Sequence, residues 1–203
     1  DDEAVREAAK MEIVRRYFQA AVEARRSGSG QEYVERLELL MNQAGVDVNY
    51  SPARSAALLK EETTGRPAGA MVLPDGSVVT GKTSDLLGAA SSLLMNALKG
   101  VAGVDDAVDV ISNEVIEPIC ELKTSTLNSR NPRLHSDETL LALSVTSATD
   151  PLAKQLIDHA GDLKGCDAFF SVIISSTDEK LYRTLGINVC CEPKYEQRRY
   201  YHR

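Results

Sequence analysis

Several residue types that usually carry chemistry or cross-links are scarce in this 203-residue chain. It has four cysteines, three histidines and no tryptophan. The cysteines, at positions 120, 166, 190 and 191, lack the spacings of a metal site, so we expect no metal centre and no cofactor. A disulfide framework is typical of small secreted domains and not of a chain of this size and composition, which favours the reducing cytoplasm.

Long apolar runs and an excess of positive charge are missing as well. No hydrophobic stretch approaches the roughly 20 residues that a membrane-spanning helix needs, and no signal-peptide pattern opens the chain. The net charge of −7 argues against nucleic acid or an anionic membrane as the main partner. The first residues, DDEAVREAAK, read as a helix already under way. We therefore expect the chain to be part of a longer protein.

The first third of the chain has the periodicity of helices. Apolar residues recur at three- and four-residue steps from residue 1 to about 26, and SGSG at 27–30 ends that helix. A second helix is predicted from QEYVERLELLMNQAG. A third is predicted from SPARSAALLKEETTG, with Ser51 as N-cap and Pro52 as first helical residue. Residues 1–66 are therefore predicted to form a three-helix subdomain.

The sequence changes character after Pro67. Two β-rich runs, GAMVL and SVVTG, flank Pro-Asp-Gly at 74–76, which predicts a hairpin. An apolar helix, DLLGAASSLLMNALKG, follows, and Thr83 or Ser84 is its expected cap.

The rest of the chain alternates between helical and strand patterns. Helices are predicted at 112–126, 136–148 and 151–160. The run DAFFSVIISS, TDEKLYRTLG, INVCCEP predicts a strand, a helix and a parallel strand. In its last strand Cys190 and Cys191 would point to opposite faces of the sheet. Residues 67–203 are thus predicted to form an α/β subdomain, and the whole chain to be of the mixed α/β (α+β) class.

Residues 76–83 read GSVVTGKT and match the phosphate-loop pattern G-x-x-x-x-G-K-[ST]. A phosphate cradle requires a strand before its first glycine and a flexible loop over the four variable positions. Here two valines and a threonine stiffen those positions in the extended region, and Gly76 belongs to the preceding turn. We therefore interpret the match as part of a hairpin and expect this chain not to bind ATP.

Two polar segments are candidates for binding an anion. The first is Lys82, Thr83 and Ser84, before the apolar helix, because the free N–H groups of a helix start attract negative charge. The alternative is that one hydroxyl merely caps that helix.

The second polar segment is the loop 128–138. Arg130, Arg133 and His135 precede a predicted helix and could grip a phosphate or carboxylate. His135 with Asp137 could also act as a base and its orienting partner. The alternative is a solvated loop whose arginines pair with the acidic surface.

We expect the helix start at 82–85 and the loop 128–138 to lie on the same side of the α/β domain. Helix starts gather at the carboxyl ends of the strands in an open α/β sheet. The antiparallel hairpin leaves open the alternative that they lie on opposite edges. His159 and His202 are expected at the surface, and the basic, aromatic C-terminus EPKYEQRRYYHR is expected to dock on a neighbouring surface.

Several stretches resemble one bacterial family along essentially the whole chain. They are DDEAVREAAKMEIVRRYFQA, LLMNQAG, LPDGSVVTGKTSDLLGAASSLLMNALK, NPRLHSDETLLALS and LGINVCCEPKYE. They are similar to the C-terminal part of the family labelled "domain of unknown function eighteen-forty-six". Its longer members carry, upstream, a glycine-rich G-P-G-S-G-K-type segment that looks like a genuine phosphate loop.

The resemblance implies a helical subdomain followed by a cytidine-deaminase-like α/β subdomain, and no established reaction. Zinc deaminases place a His or Cys, then Glu, at the helix start after the first hairpin, and P-C-x-x-C later. Here the first position reads SDLLGAAS, and Pro118-Ile119-Cys120 offers one thiol without a pair. The zinc motif is therefore lacking.

Two functions remain open, and neither includes a defined reaction. In the first, the chain is a non-catalytic C-terminal module that packs on an upstream nucleotide-binding region and supports a homo-oligomer. In the second, it contributes an anion-binding or phosphate-binding half-site to an active site shared with that upstream region. The candidate residues for the half-site are Lys82, Thr83, Ser84, Arg130, Arg133 and His135.

Overall fold

The structure, a computed structural model, describes residues 2–197. Over that range the chain forms helices on both sides of one four-stranded sheet, which confirms the mixed α/β class. In chain order the main elements are α1 (Asp2–Ser27), α2 (Gln31–Ala44), α3 (Pro52–Thr64), β1 (Ala68–Val72), β2 (Val78–Lys82), α4 (Ala89–Ala102), α5 (Asn113–Ser125), α6 (Ser136–Thr146), α7 (Pro151–Asp158), β3 (Asp167–Phe170), α8 (Ser176–Thr184) and β4 (Asn188–Cys191). No helix among these residues is both long and apolar enough to cross a membrane.

The sheet has the strand order β2-β1-β3-β4. β1 and β2 pair antiparallel, from Ala68 opposite Lys82 to Val72 opposite Val78, and Gly76 takes a positive φ of 84° in the turn between them. The hairpin interpretation of GSVVTGKT is confirmed, because its variable positions lie in the turn and in β2 instead of forming a cradle. That the chain does not bind ATP stays a prediction. β3 and β4 pair parallel around α8, which confirms the strand–helix–strand prediction.

Each face of the sheet carries its own apolar core. On one face Phe18 of α1 packs edge-on against Phe169, with Ala70 and Cys190 in the same cluster. On the other face Phe170 packs edge-on against Tyr182 of α8, and Cys191 joins that larger cluster. The opposite orientations of Cys190 and Cys191 are therefore confirmed, and they follow from the two-residue period of a strand.

The predicted start of the apolar helix is wrong. The Thr83 N–H donates to the Pro67 carbonyl (2.8 Å), which prolongs the contact between β2 and the start of β1. The Ser84 hydroxyl then accepts from the Leu87 N–H (2.9 Å) and closes a local turn. As a result α4 begins only at Ala89, and neither Thr83 nor Ser84 caps it.

The other predicted helices are confirmed, with α5, α6 and α7 inside the ranges 112–126, 136–148 and 151–160. Ser51 accepts from the Arg54 N–H (3.4 Å) and Pro52 opens α3, as its sequence indicates. The subdomain boundary at residue 66 falls between α3 and β1 and stays a prediction. Arg15 of α1 bonds Asp167 of β3 (2.9 Å), so the helical segment lies directly against the sheet.

Candidate functional site

A cavity of about 190 Å³, here called cavity A, lies beyond the carboxyl end of β3, where three helices begin. Its wall includes the N-cap residues of α4, α6 and α8, which are Gly88, His135 and Ser175. The N-terminus of each helix carries a partial positive charge, so their convergence favours negative charge inside the cavity.

Two loops form the wall between α4 and α6. The Leu134 N–H donates to the Leu86 carbonyl (2.9 Å), and the Gly88 N–H donates to the Leu134 carbonyl (3.2 Å). The buried Ser91 hydroxyl also donates to that carbonyl, at 2.7 Å. These bonds join residues 86–88 and Ser91 to the loop before α6. That the segment 82–85 and the loop 128–138 lie on the same side of the α/β domain stays a prediction.

The six predicted site residues divide between two places. Thr83, Arg133 and His135 border cavity A. Lys82 and Ser84 border a different cavity of about 340 Å³, here called cavity B. Lys82 and Ser84 separate from Thr83 because successive side chains of an extended segment point to opposite sides.

Arg130, the sixth predicted residue, is exposed and borders neither cavity. Whether any of the six binds an anion stays a prediction.

Asp178 joins the first turns of α6 and α8 by hydrogen bonds. Our sequence analysis did not identify this residue. Its Oδ1 accepts from the Ser136 N–H (2.8 Å) and from the Ser136 hydroxyl (2.7 Å). Its Oδ2 accepts from the Ser175 hydroxyl (2.8 Å), and the Asp178 N–H donates back to that hydroxyl (3.1 Å). The spacing Ser175-x-x-Asp178 is a capping-box signal that could have located α8, although not its bond to α6.

The first turn of α4 has no such cap. Gly88 provides no side chain, and the N–H groups of Ala89 and Ala90 have no hydrogen-bond partner in the described part of the chain. Both residues border cavity A and are less than 9% exposed. Thr83 lies beside them, 3% exposed, and its hydroxyl also has no partner within residues 2–197. Three donors on the wall of cavity A therefore have no acceptor within residues 2–197.

Arg133 adds a full positive charge to the same wall. It is 9% exposed, and its Nη1 lies 3.6 Å from Oε1 of Glu196. Its backbone carbonyl accepts from the buried Lys123 ammonium, which also bonds Glu138 at 2.7 Å. These contacts fix the loop at the edge of the cavity.

The acidic partner of His135 differs from the predicted one. Oε2 of Glu138 accepts from the His135 N–H (2.7 Å) and lies 3.6 Å from its Nδ1. Asp137 instead accepts from the Glu138 N–H (2.9 Å). The predicted pairing of His135 with Asp137 is therefore wrong, because the residue three positions after an N-cap folds back onto it and its neighbour does not.

The sequence profile described as "Domain of unknown function DUF1846, C-terminal" matches residues 49–201 of this chain, and the one described as DUF1846, N-terminal matches residues 1–45. The chain belongs to the DUF1846 family. It is 48% identical to UPF0371 protein CE2832 of Corynebacterium efficiens and 46% identical to UPF0371 protein DIP2346 of Corynebacterium diphtheriae. A UPF0371 protein of Streptococcus pneumoniae serotype 19F is 42% identical.

These three matches cover 99% of the chain but only 40–41% of each relative. The DUF1846 chain thus spans about two fifths of the length of the curated relatives it matches. Their names state no activity, so the functional argument rests on the geometry of the cavities. The two family profiles meet in the connection between α2 and α3.

The described part of the C-terminal segment of this DUF1846 chain crosses the edge of cavity A. The Ile173 N–H donates to the Lys194 carbonyl (2.8 Å), and the Arg25 guanidinium lies 5.5 Å from the centre of the Tyr195 ring. The segment therefore contacts the surface of its own chain as far as Glu196. His159 lies at the surface as expected, bonded to Asp162 (2.7 Å), whereas His202 is outside the described residues.

Within residues 2–197, no group of three or more His, Cys, Asp or Glu side chains could hold a metal ion. Cavity A is instead rich in hydrogen-bond donors. Of its two acidic wall residues, Asp178 accepts hydrogen bonds from two serines and Glu196 lies 3.6 Å from Arg133. The amides of Ala89 and Ala90 and the Thr83 hydroxyl have no acceptor within residues 2–197. An acceptor-only, negatively charged group fits that set.

Proposed function

We propose that cavity A binds the phosphate group of a small molecule. In the longer relatives it would form a half-site of an active site shared with the upstream region. One observation carries this proposal, namely the three donors on the cavity wall, at Ala89, Ala90 and Thr83, that have no acceptor within residues 2–197. A hydrogen bond from such a donor to a charged acceptor is worth about 1.5–3 kcal/mol. A bound anion would accept from all three donors.

The charge on the cavity wall supports the same conclusion. Arg133 offers a guanidinium that can bind a phosphate or carboxylate through two parallel hydrogen bonds. Glu196 lies 3.6 Å from it, so an entering anion would compete with this carboxylate for Arg133. We therefore expect Glu196 to lower the affinity of the cavity for anions.

We also propose that the sheet is a cytidine-deaminase-like arrangement without the zinc chemistry. The order β2-β1-β3-β4, with an antiparallel hairpin followed by α4, supports this. In zinc deaminases the helix after the first hairpin begins with a metal ligand and a glutamate. Here that turn is Gly88-Ala89-Ala90, so the groups available to a ligand are backbone amides.

A second candidate function is a non-catalytic one, in which the chain packs on the upstream region and supports a homo-oligomer. The observation that favours it lies on α2, where Tyr33, Leu39 and Leu40 are 53%, 62% and 42% exposed. This helix falls in the part matched by the N-terminal family profile. The rest of that N-terminal domain in a longer protein would cover these side chains. The four cysteines of this chain are buried free thiols, which is consistent with the cytoplasmic location that we propose for the protein.

Calorimetric titration with inorganic phosphate tests the first proposal on this chain. Thr83→Val keeps the shape of the side chain but removes one donor, and a hydrogen bond to a charged acceptor is worth about 1.5–3 kcal/mol. We expect phosphate affinity to fall by about tenfold or more. Glu196→Gln should raise the affinity, because it removes the competing charge.

Thr80→Val is the matched control for this titration. Thr80 lies on β2, three residues before Thr83, but borders cavity B, so the same chemical change should leave phosphate affinity unaltered. Equal affinities in the wild type, Thr83→Val and Glu196→Gln would refute the anion site and leave the packing function as the remaining candidate.

A further inference from the structure

Cavity B, of about 340 Å³, shares no lining residue with cavity A. It is enclosed by β2, α4 and the loop before α5. Its volume falls within the range of small-molecule pockets, roughly 300–1,000 Å³.

A polar stripe on α4 forms the floor of cavity B. Ser92, Asn96 and Lys99 follow one another at steps of four and three residues, so they share one face of the helix, and all three border the cavity. The neighbouring residues Leu93 and Leu98 are fully buried in the core. Polar side chains on one face of an otherwise apolar helix thus lie where a ligand can reach them.

Lys99 is the residue that most needs a partner in this cavity. It is only 7% exposed, and its ammonium donates one hydrogen bond, to the Asp106 carbonyl at 2.9 Å. Among the described residues it has no carboxylate within ion-pair distance. A buried ammonium without a counter-charge is costly, and it has two further N–H groups to donate. A bound anion would supply both the charge and the acceptors.

The other two stripe residues also have unused hydrogen-bonding capacity. The Asn96 side-chain amide donates to the Thr80 carbonyl (2.8 Å), and its Oδ1 has no partner in the part of the chain that is described. The Ser92 hydroxyl likewise has no partner within residues 2–197. Together they offer one acceptor and one hydroxyl beside the Lys99 ammonium. These groups can hydrogen-bond a hydroxyl or amino group that stands next to the ligand's carboxylate.

Close contact between β2 and α4 fixes this geometry. A Cβ atom at Gly81 would lie 2.3 Å from the Leu93 backbone nitrogen, so only glycine permits the strand to pass so near the helix. Thr80 and Lys82 also border the cavity, and the Thr80 carbonyl accepts from the Asn96 side chain (2.8 Å).

The charges around cavity B favour a small anion of low charge. Lys60, Lys82 and Lys99 border it together with Asp106 and Asp109, so three positive groups face two negative ones. The two aspartates are exposed and would repel a doubly charged phosphate. A single carboxylate matches the one excess positive charge.

We propose that cavity B binds a small carboxylic acid that carries a hydroxyl or amino group next to its carboxylate. The carboxylate pairs with the Lys99 ammonium, and the neighbouring polar group meets Asn96 and Ser92. This site is separate from cavity A and does not depend on the function proposed for it.

Saturation-transfer NMR with L-lactate, glycolate and L-alanine, each in the millimolar range, tests this proposal. We expect a transfer signal from at least one probe on the wild-type chain. Lys99→Met removes the positive partner of the bound carboxylate, so it should weaken binding by more than about tenfold. Thr83→Val, whose side chain borders cavity A, should leave the signal intact.

Chemical-shift mapping of the wild-type chain keeps the proposal testable if Lys99→Met fails to fold. Binding of the probe should move the Asn96 side-chain amide resonances and leave those of Gly88 and Ala89 in place. The proposal is overturned if no probe gives a signal, if the signal survives Lys99→Met, or if the shifts cluster at Gly88 and Ala89.

Discussion

The carboxylate of Asp178 holds the first turns of α6 and α8 together, and removing it tests how cavity A is built. It is 7% exposed and accepts from the Ser136 N–H, the Ser136 hydroxyl and the Ser175 hydroxyl at 2.7–2.8 Å. Asp178→Ala leaves these three donors without an acceptor in a poorly hydrated place. Each bond to a charged group is worth about 1.5–3 kcal/mol, and bonds within one network do not add fully. We therefore expect the free energy of unfolding to fall by about 3–5 kcal/mol.

Urea unfolding followed by circular dichroism measures this change. Asp178→Asn keeps the shape and one acceptor oxygen, so its loss should be smaller, about 1–2 kcal/mol. The matched control is Asp162→Ala, which removes an exposed aspartate bonded only to His159 and should cost less than about 1 kcal/mol. Equal losses in Asp178→Ala and Asp162→Ala would refute the idea that this carboxylate joins the two helices.

Two further predictions concern the core. Gly81→Ala places a Cβ atom 2.3 Å from the Leu93 backbone nitrogen. We therefore expect urea unfolding to show a free energy of unfolding lower by about 3 kcal/mol or more. The control Gly161→Ala, which has open space around it, should be nearly neutral. Burial raises the pKa of both Cys190 and Cys191 from 9.0 to about 12. Between those values the unfolded thiols lose protons that the folded ones keep, so the free energy of unfolding should fall by up to about 1.4 kcal/mol per pH unit for each thiol. Cys190→Ala should show a shallower fall than the wild type between pH 9 and pH 12, and identical slopes would contradict the raised pKa.

Much of the fold followed from local patterns in the sequence. The helices at 112–126 and 151–160 have clear periodicity and capping residues, and the turn at 74–76 sets the register of the hairpin. Those signals are carried by neighbouring residues, and so they can be read without knowing the fold.

The predictions that failed depended on contacts between distant residues. Thr83 and Ser84 have the chemistry of helix caps. However, the Pro67 carbonyl accepts a hydrogen bond from the Thr83 N–H, which keeps the chain extended. The bond from Ser136 to Asp178 joins residues 42 positions apart, and no local pattern encodes it. The stripe containing Lys99 has helical spacing in the sequence, but we described that segment only as an apolar helix because apolar residues predominate in it.

The pattern GSVVTGKT is not a phosphate loop, yet its last residues lie beside both cavities for independent physical reasons. Gly81 is required because the backbone of α4 passes where a side chain would be. Lys82 and Thr83 then diverge because an extended chain alternates its side chains, one to cavity B and the other to cavity A. A change at Thr83 should therefore affect phosphate and not the carboxylic acid, and a change at Lys99 should do the reverse. If both changes weakened both ligands alike, α4 would have shifted as a whole, and the two cavities could not be treated as separate sites.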